Sequence, residues 1–296
     1  MQLVEQHIIN NKHSLFKEID SLSFLSKNLY NKANYVIRQE FIRTFKEKEE
    51  GKLEHANYLN YYNIQKQLQN TNNFEYKQLP AKVSQQVLKV LDKNWLSFFK
   101  SIQEYKNNVN KYKGKPSLPK YKHKIRGRNL LIYTVQAISK KELKNNIVHL
   151  SGTNIKIKTI QKDIQQVRII PKNKEYVIEI IYKKEVQDLK LNKKNVAGID
   201  LGVNNLCAIT SNLSGVRPLL INGRPLKSIN QFYNKKKSKL QSYVGDKSSN
   251  RLIKLTNKRN RKVNNYLHNA SRFIIKYLIR NDIGILVIGK KPIMEE

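Results

Sequence analysis

The chain has 296 residues, enough for two domains with their own cores, and 39% of them are hydrophobic, a proportion that fits a globular protein. Fifty-seven Lys and Arg against 22 Asp and Glu leave a formal net charge of +35, a self-repulsion that a polyanionic partner, nucleic acid, relieves better than any neutral ligand. The lone cysteine, Cys207, excludes an intrachain disulfide and a cysteine-based zinc site, and no leader pattern or membrane-length apolar run is present, so a soluble cytoplasmic protein with no membrane partner is expected.

Residues 1 to 9 read as a short strand carrying Leu3, Val4, Ile8 and Ile9. After the Asn10-Asn11 break, Leu22, Leu25, Leu29, Ala33, Val36 and Ile37 recur at spacings of three and four, which predicts a helix with Lys27, Lys32 and Arg38 on its other faces. Lys46 to Tyr76 is polar, of low complexity and without an assigned element. Pro80 then opens a second helix striped by Val83, Val87, Leu88, Leu91, Trp95, Phe98 and Phe99, a core-forming pattern. Residues 12–105 therefore read as a helical insert behind the first strand.

From Lys111 to Arg128 the sequence KYKGKPSLPKYKHKIRGR holds eight Lys or Arg and no acid, with Tyr112 and Tyr121 interleaved and Pro116 and Pro119 preventing a helix. An extended basic segment with rings suits a path along a nucleic-acid backbone, through Lys111, Lys113, Lys115, Lys120, Lys122, Lys124, Arg126 and Arg128. A disordered linker is the bland alternative. Two hairpins follow, NIVHL-SGTN-IKIKT and IQQVRII-PKNK-EYVIEIIYKK, alternating apolar and charged residues as half-buried strands do. A small β-barrel or sandwich over 110–190, completed by the N-terminal strand, is the simplest packing.

Beyond Asn195 the predicted order is strand (VAGIDL), strand (LCAIT), strand (PLLI), basic loop, long helix, strand (ILVI). In the helix Val263, Leu267, Ala270, Ile274 and Tyr277 form the buried face. The helix supplies the crossover that lets ILVI run parallel to VAGIDL. Thirteen basic residues and one acid, Asp246, lie from Arg224 to Lys262. This clustering nominates Arg224, Lys235, Lys236, Lys237, Lys258, Arg259, Arg261 and Lys262, with Arg272 further along the helix, as phosphate contacts, against the alternative of a solvated helix face. His268 shares a face with Arg272 and reads as a structural histidine.

Asp200 stands in the apolar run VAGIDLGVNNLCAIT between Gly198 and Gly202. A carboxylate in such a place needs a partner, a cation or a strand end open to water. Three antiparallel strands, a helix and a parallel strand is the opening of a ribonuclease H-like sheet. A phosphate-loop ATPase of the actin, sugar-kinase and Hsp70 group is disfavoured, because Asn204 and Asn205 replace the loop's hydroxyl residues and fewer than about a hundred residues remain for an adenosine pocket.

On SLSFLSKNLYNKANYVIRQEF, LPAKVSQQVLKVLDKNWLSFF, GIDLGVNNLCAI, INGRPLKSINQFYNKKKSKLQS, HNASRFIIKYLI and IGILVIGK, in that order, the sequence resembles the TnpB (OrfB) family of insertion-sequence proteins, a family of probable transposases related to the type V CRISPR effectors. The resemblance implies an α+β chain: a wedge β-barrel (1–10 and 110–190), a helical recognition insert (12–105) and a RuvC, ribonuclease H-like, domain (195–296). It also implies a guide RNA, a DNA target and magnesium-dependent cleavage, with Asp200 as the first catalytic and metal-binding acid. The second acid is expected just beyond ILVI, where the residue is Gly289, and the acids nearest it are Glu295 and Glu296. The family's further helices, zinc ribbon and third acid have no counterpart in these residues, so a C-terminally truncated protein with an incomplete RuvC domain and impaired cleavage is expected. The alternatives are a catalytically dead RNA-guided repressor and a non-functional pseudogene fragment.

Overall fold

The computed structural model describes residues 1–245 and 247–289, and the chain divides into two compact units, Met1–Val186 and Gln187–Glu296.

The first unit opens with strand β1 (Gln2–Ile9) and helix α1 (Phe16–Glu49). The stretch without an assigned element contains helices: α1 runs through its first residues, and α2 (Tyr61–Asn70) and α3 (Phe74–Lys77) follow after an irregular connection. Low complexity concealed ordinary signals there. Asn60 and Asn73 cap the two short helices by accepting the backbone N–H of Asn63 (3.1 Å) and Tyr76 (3.0 Å), and Ile64 and Leu68, one turn apart, are buried. Helix α4 (Ala81–Asn107) buries Val83, Val87, Leu88, Leu91 and Trp95 against Ile19, Leu29, Ala33 and Ile37 of α1. Trp95 is the centre of an aromatic cluster with Phe41, Tyr58, Phe98 and Phe99, at centroid separations of 5.5 to 6.1 Å.

Strand β2 (Leu131–Thr134), the short helix α5 (Lys140–Lys144), and strands β3 (Ile147–His149), β4 (Lys156–Lys158), β5 (Ile164–Lys172) and β6 (Glu175–Lys183) complete the unit. Both expected hairpins form. The second turns on two residues, Asn173 and Lys174, with φ of 47° and 61°, the left-handed pair that continues the twist of antiparallel strands. The hydrogen-bonded order is β1-β6-β5-β2, all antiparallel, with β3 and β4 as a separate ribbon. β1 pairs with β6 from Gln2↔Lys183 to Ile9↔Tyr176, so the N-terminal strand does join the later ones. Leu131, Tyr133, Val167, Ile169, Ile178 and Ile180 belong to the same core as the helices. Helices and sheet are therefore stabilised together.

In the second unit, strands β7 (Val196–Leu201), β8 (Asn205–Ser211) and β9 (Leu219–Asn222) are antiparallel neighbours, helices α6 (Arg224–Val244) and α7 (Asn250–Arg280) follow, and β10 (Ile285–Ile288) lies parallel to β7, giving the order β10-β7-β8-β9. This is the expected strand plan. The predicted basic loop is instead α6. Leu226, Ile229, Tyr233, Leu240 and Val244 recur at helical spacing between the lysines, and lysine itself is a good helix former. Ala197, Ile199, Cys207, Ile209 and Ile221 pack with Ala270, Leu278 and Ile283, burying one face of the sheet. Leu267, expected on the buried face of α7, is 42% exposed, and the half-buried Tyr266 takes that place. Among the described residues no helix is long and apolar enough to cross a membrane.

Candidate nucleic-acid interface

Strand alternation decides the setting of Asp200. Ala197 and Ile199 face the core, so Gly198 and Asp200 face out, and Asp200 is exposed at the end of β7. Of the three ways to accommodate a carboxylate in an apolar run, the chain uses a strand end open to water. The flanking glycines differ in cause. A Cβ at Gly202 would lie 2.8 Å from the Asn205 carbonyl oxygen, so the β7–β8 turn requires glycine, whereas a Cβ at Gly198 would meet nothing within 4 Å. Asp200 pairs across the sheet with Ala208, and on its other side the N–H of Gly289 donates to the Ile199 carbonyl at 3.2 Å. Its neighbours in the sheet, Gly198, Ala208 and Gly289, are positions with almost no side chain.

Magnesium held for phosphodiester chemistry takes several carboxylate oxygens. Among the described residues no group of three or more His, Cys, Asp and Glu side chains could hold a metal ion, and Asp200 forms no ion pair. One carboxylate beside two glycines and an alanine does not fit that ion. Glu295, Glu296 and Asp246 lie outside the described residues.

Asp200, Ala208 and Leu220 form one row across the open face, which places Leu220 about 10 Å from Asp200. Leu220 borders a cleft of about 470 Å³ shared with Asn204, Asn205, Asn222 and Arg224. The cleft offers three amides and a guanidinium. These groups suit phosphate and sugar oxygens.

Helices α6 and α7 pack as a hairpin, joined by Tyr233 Oη with Thr256 Oγ1 (3.1 Å) and by Arg259 Nε donating to Asn230 Oδ1 (2.8 Å), with the Arg259 guanidinium 5.7 Å from the Tyr233 ring. Arg259 is therefore half-buried in the seam. Lys235, Lys236, Lys258, Arg261, Lys262 and Arg272 are exposed, and Lys237 is half-buried. Lys254, Lys258, Arg261, Asn265, Arg272 and Lys276 follow one face of α7 at spacings of four, three, four, seven and four, a basic ridge about 33 Å long. Lys254 and Lys276 were missed in the sequence, although their helical spacing to Lys258 and Arg272 was there to be counted. Neither helix contains an acid, so nothing within them offsets this charge.

The basic segment 111–128 has another character. Helix α1 holds it extended with a polar ladder: Lys27 Nζ donates to the Lys124 carbonyl (2.5 Å), Asn31 Nδ2 to the Lys122 carbonyl (2.8 Å) and Asn34 Nδ2 to the Pro119 carbonyl (2.9 Å), while Asn31 Oδ1 accepts the Lys122 N–H (2.9 Å). Lys27, assigned from the sequence to an outer face, is buried, and that burial pulls its pKa down. Arg128 grips Asp20 with both Nε (2.8 Å) and Nη2 (2.7 Å), Lys111 pairs with Glu104, and the Lys122 ammonium lies 5.0 Å from the Tyr30 ring. Both tyrosines are engaged as well: Tyr112 Oη donates to Glu104 (2.9 Å), and Arg38 sits 4.8 Å from the Tyr121 ring. Lys113, Lys115, Lys120, Lys124 and Arg126 remain exposed.

Residues 179–292 match the model of the OrfB_IS605 family, described as probable transposase. Over that stretch the chain is OrfB-like. The OrfB-like stretch contains Asp200, the amide-guanidinium cleft and the α6–α7 hairpin, whereas the segment 111–128 precedes it. Among solved structures, a Cas12f1–sgRNA–target DNA complex is similar at 11% identity and a TM-score of 0.48, covering 91% of this chain and 65% of that one. A CRISPR–Cas12f ternary complex is similar at 12% identity and a TM-score of 0.29, covering 91% and 63%. The chain thus spans about two thirds of the length of these relatives. No curated protein matches it.

Proposed function

We propose that this chain is a transposon-associated nucleic-acid-binding protein of the TnpB/OrfB type, which holds a guide RNA and DNA in the cytoplasm. Its parts are a wedge β-barrel (1–10 and 110–190), a helical recognition insert (12–105) and RuvC-type residues (195–296). The observation that carries this reading is the pair of acid-free helices α6 and α7, whose exposed cations lie within the family match. A second, narrower reading is binding without cleavage. Among the described residues the Asp200 carboxylate belongs to no group of three or more metal-ligating side chains, and its sheet neighbours are Gly198, Ala208 and Gly289, which favours this reading.

One experiment tests both. Purified protein is titrated with RNA and with DNA against an equally basic control protein, and then incubated with magnesium, guide RNA and target plasmid. The expected result is salt-dependent binding above the control without robust cutting. Binding no better than the control overturns the nucleic-acid reading, and robust cutting abolished by Asp200→Ala overturns the non-cleaving one.

A further inference from the structure

Two aromatic rings on α6 stand out from the rings of the basic segment, because most of their surface is open among the described residues. Phe232 is 58% and Tyr243 74% exposed. With Lys236 and Lys239 they fall at spacings of four, three and four, on one arc of the helix, in the order ring, lysine, lysine, ring. The Lys236 ammonium already lies 5.9 Å from the Phe232 ring. The two rings are eleven residues apart, about 16 Å along the axis, a reach of several nucleotides. Isolated exposed rings are ordinary on protein surfaces. Two rings bracketing two lysines, on a helix with no acid, make a composite surface instead.

Resting on the nucleic-acid reading above, we propose that this face of α6 is a stacking platform for an unpaired polynucleotide strand. Base faces are free only when the strand is single, so the rings discriminate strand from duplex while the lysines grip the phosphates of either. A phenyl face reads neither sugar, so RNA and DNA strands bind alike.

The test compares an oligothymidylate, an oligouridylate and a DNA duplex of equal length on the full chain and on Phe232→Ala/Tyr243→Ala. The double variant should lose roughly 30-fold or more in affinity for both single strands and stay within about twofold on the duplex. Phe232→Tyr and Tyr243→Phe, which keep the rings, should retain strand binding, and thermal melts check that each variant folds. An equal loss on strand and duplex, or no loss on either strand, overturns the platform. Either result leaves the nucleic-acid reading intact as long as the unaltered chain still binds, whereas an unaltered chain that binds none of the three overturns both.

Discussion

The segment 111–128 and the hairpin α6–α7 are equally conspicuous as runs of positive charge, and they differ in how many of their cations and how much of their backbone the protein engages. In the segment, α1 and α4 supply acids, amides and rings: Asp20 takes Arg128, Glu104 takes Lys111, Tyr30 lies under Lys122, and Asn31 and Asn34 hold the backbone. In the hairpin, one arginine, Arg259, turns inward to an amide, and the exposed cations continue along α7 with no acid in either helix. A charge run is thus an architectural strap where the facing element carries acids as well as amides, and a candidate phosphate surface where it carries no acid. The stabilities of variants in the two regions should separate accordingly.

The largest separation should come from Asn34, which is fully buried, donates to the Pro119 carbonyl and accepts Trp95 Nε1 at 3.0 Å. Asn34→Ala strands one donor and one acceptor in the core, at roughly 1–3 kcal/mol each. Trp95 is the only tryptophan, so its fluorescence during urea unfolding reports the first unit alone. A midpoint that barely moves would show that the strap is not fastened through this residue.

Much of this fold was legible in the sequence because periodicity carries burial. β7 and β10 have the bounds read from VAGIDL and ILVI, and the parallel return of β10 followed from the helix between them. Three features were not legible, each for a physical reason. The lysine-rich stretch after Arg224 looked like a loop because charge obscured the Leu226, Ile229 and Tyr233 spacing. Lys27 looked solvent-facing because a buried ammonium is rare, and only the fold brings the Lys124 carbonyl to it. The exposure of Asp200 turned on strand parity, which a one-residue shift would have reversed. At the candidate site the residue types were visible, but which cations find internal partners depends on contacts such as Arg128 with Asp20, 108 positions apart in the chain.

Arg128→Gln should have the next largest effect. The bidentate Arg128 guanidinium holds the Asp20 carboxyl below its ordinary range, against the opposing pull of burial, with help from the Tyr176 hydroxyl at 2.6 Å. A depressed carboxylate pKa stabilises the fold above the unfolded value, 3.8 for aspartate, and that contribution is lost as pH falls through the folded value. With both side chains about a quarter to a third exposed, solvent screening reduces the loss at neutral pH to about 1–2 kcal/mol. The gap between variant and unaltered protein should therefore be full near neutrality and close below pH 3.8. A gap that persists unchanged in acid would mean that Arg128 acts through packing rather than through Asp20.

The smallest effect on stability should come from the hairpin, where Lys258 and Lys262 are exposed on α7. Lys258→Gln/Lys262→Gln should shift the unfolding free energy by no more than about 0.5 kcal/mol, as surface changes remote from special features do. Its consequence belongs to binding. Each phosphate contact removed should flatten the dependence of log affinity on log salt by about 0.7 to 0.9, the spread between single strands and duplex. Arg128→Gln, already neutralised by Asp20, should leave that slope where it was. If the slope follows Arg128 and ignores Lys258 and Lys262, the roles assigned to the two regions are reversed, and the strap rather than the hairpin meets the phosphates.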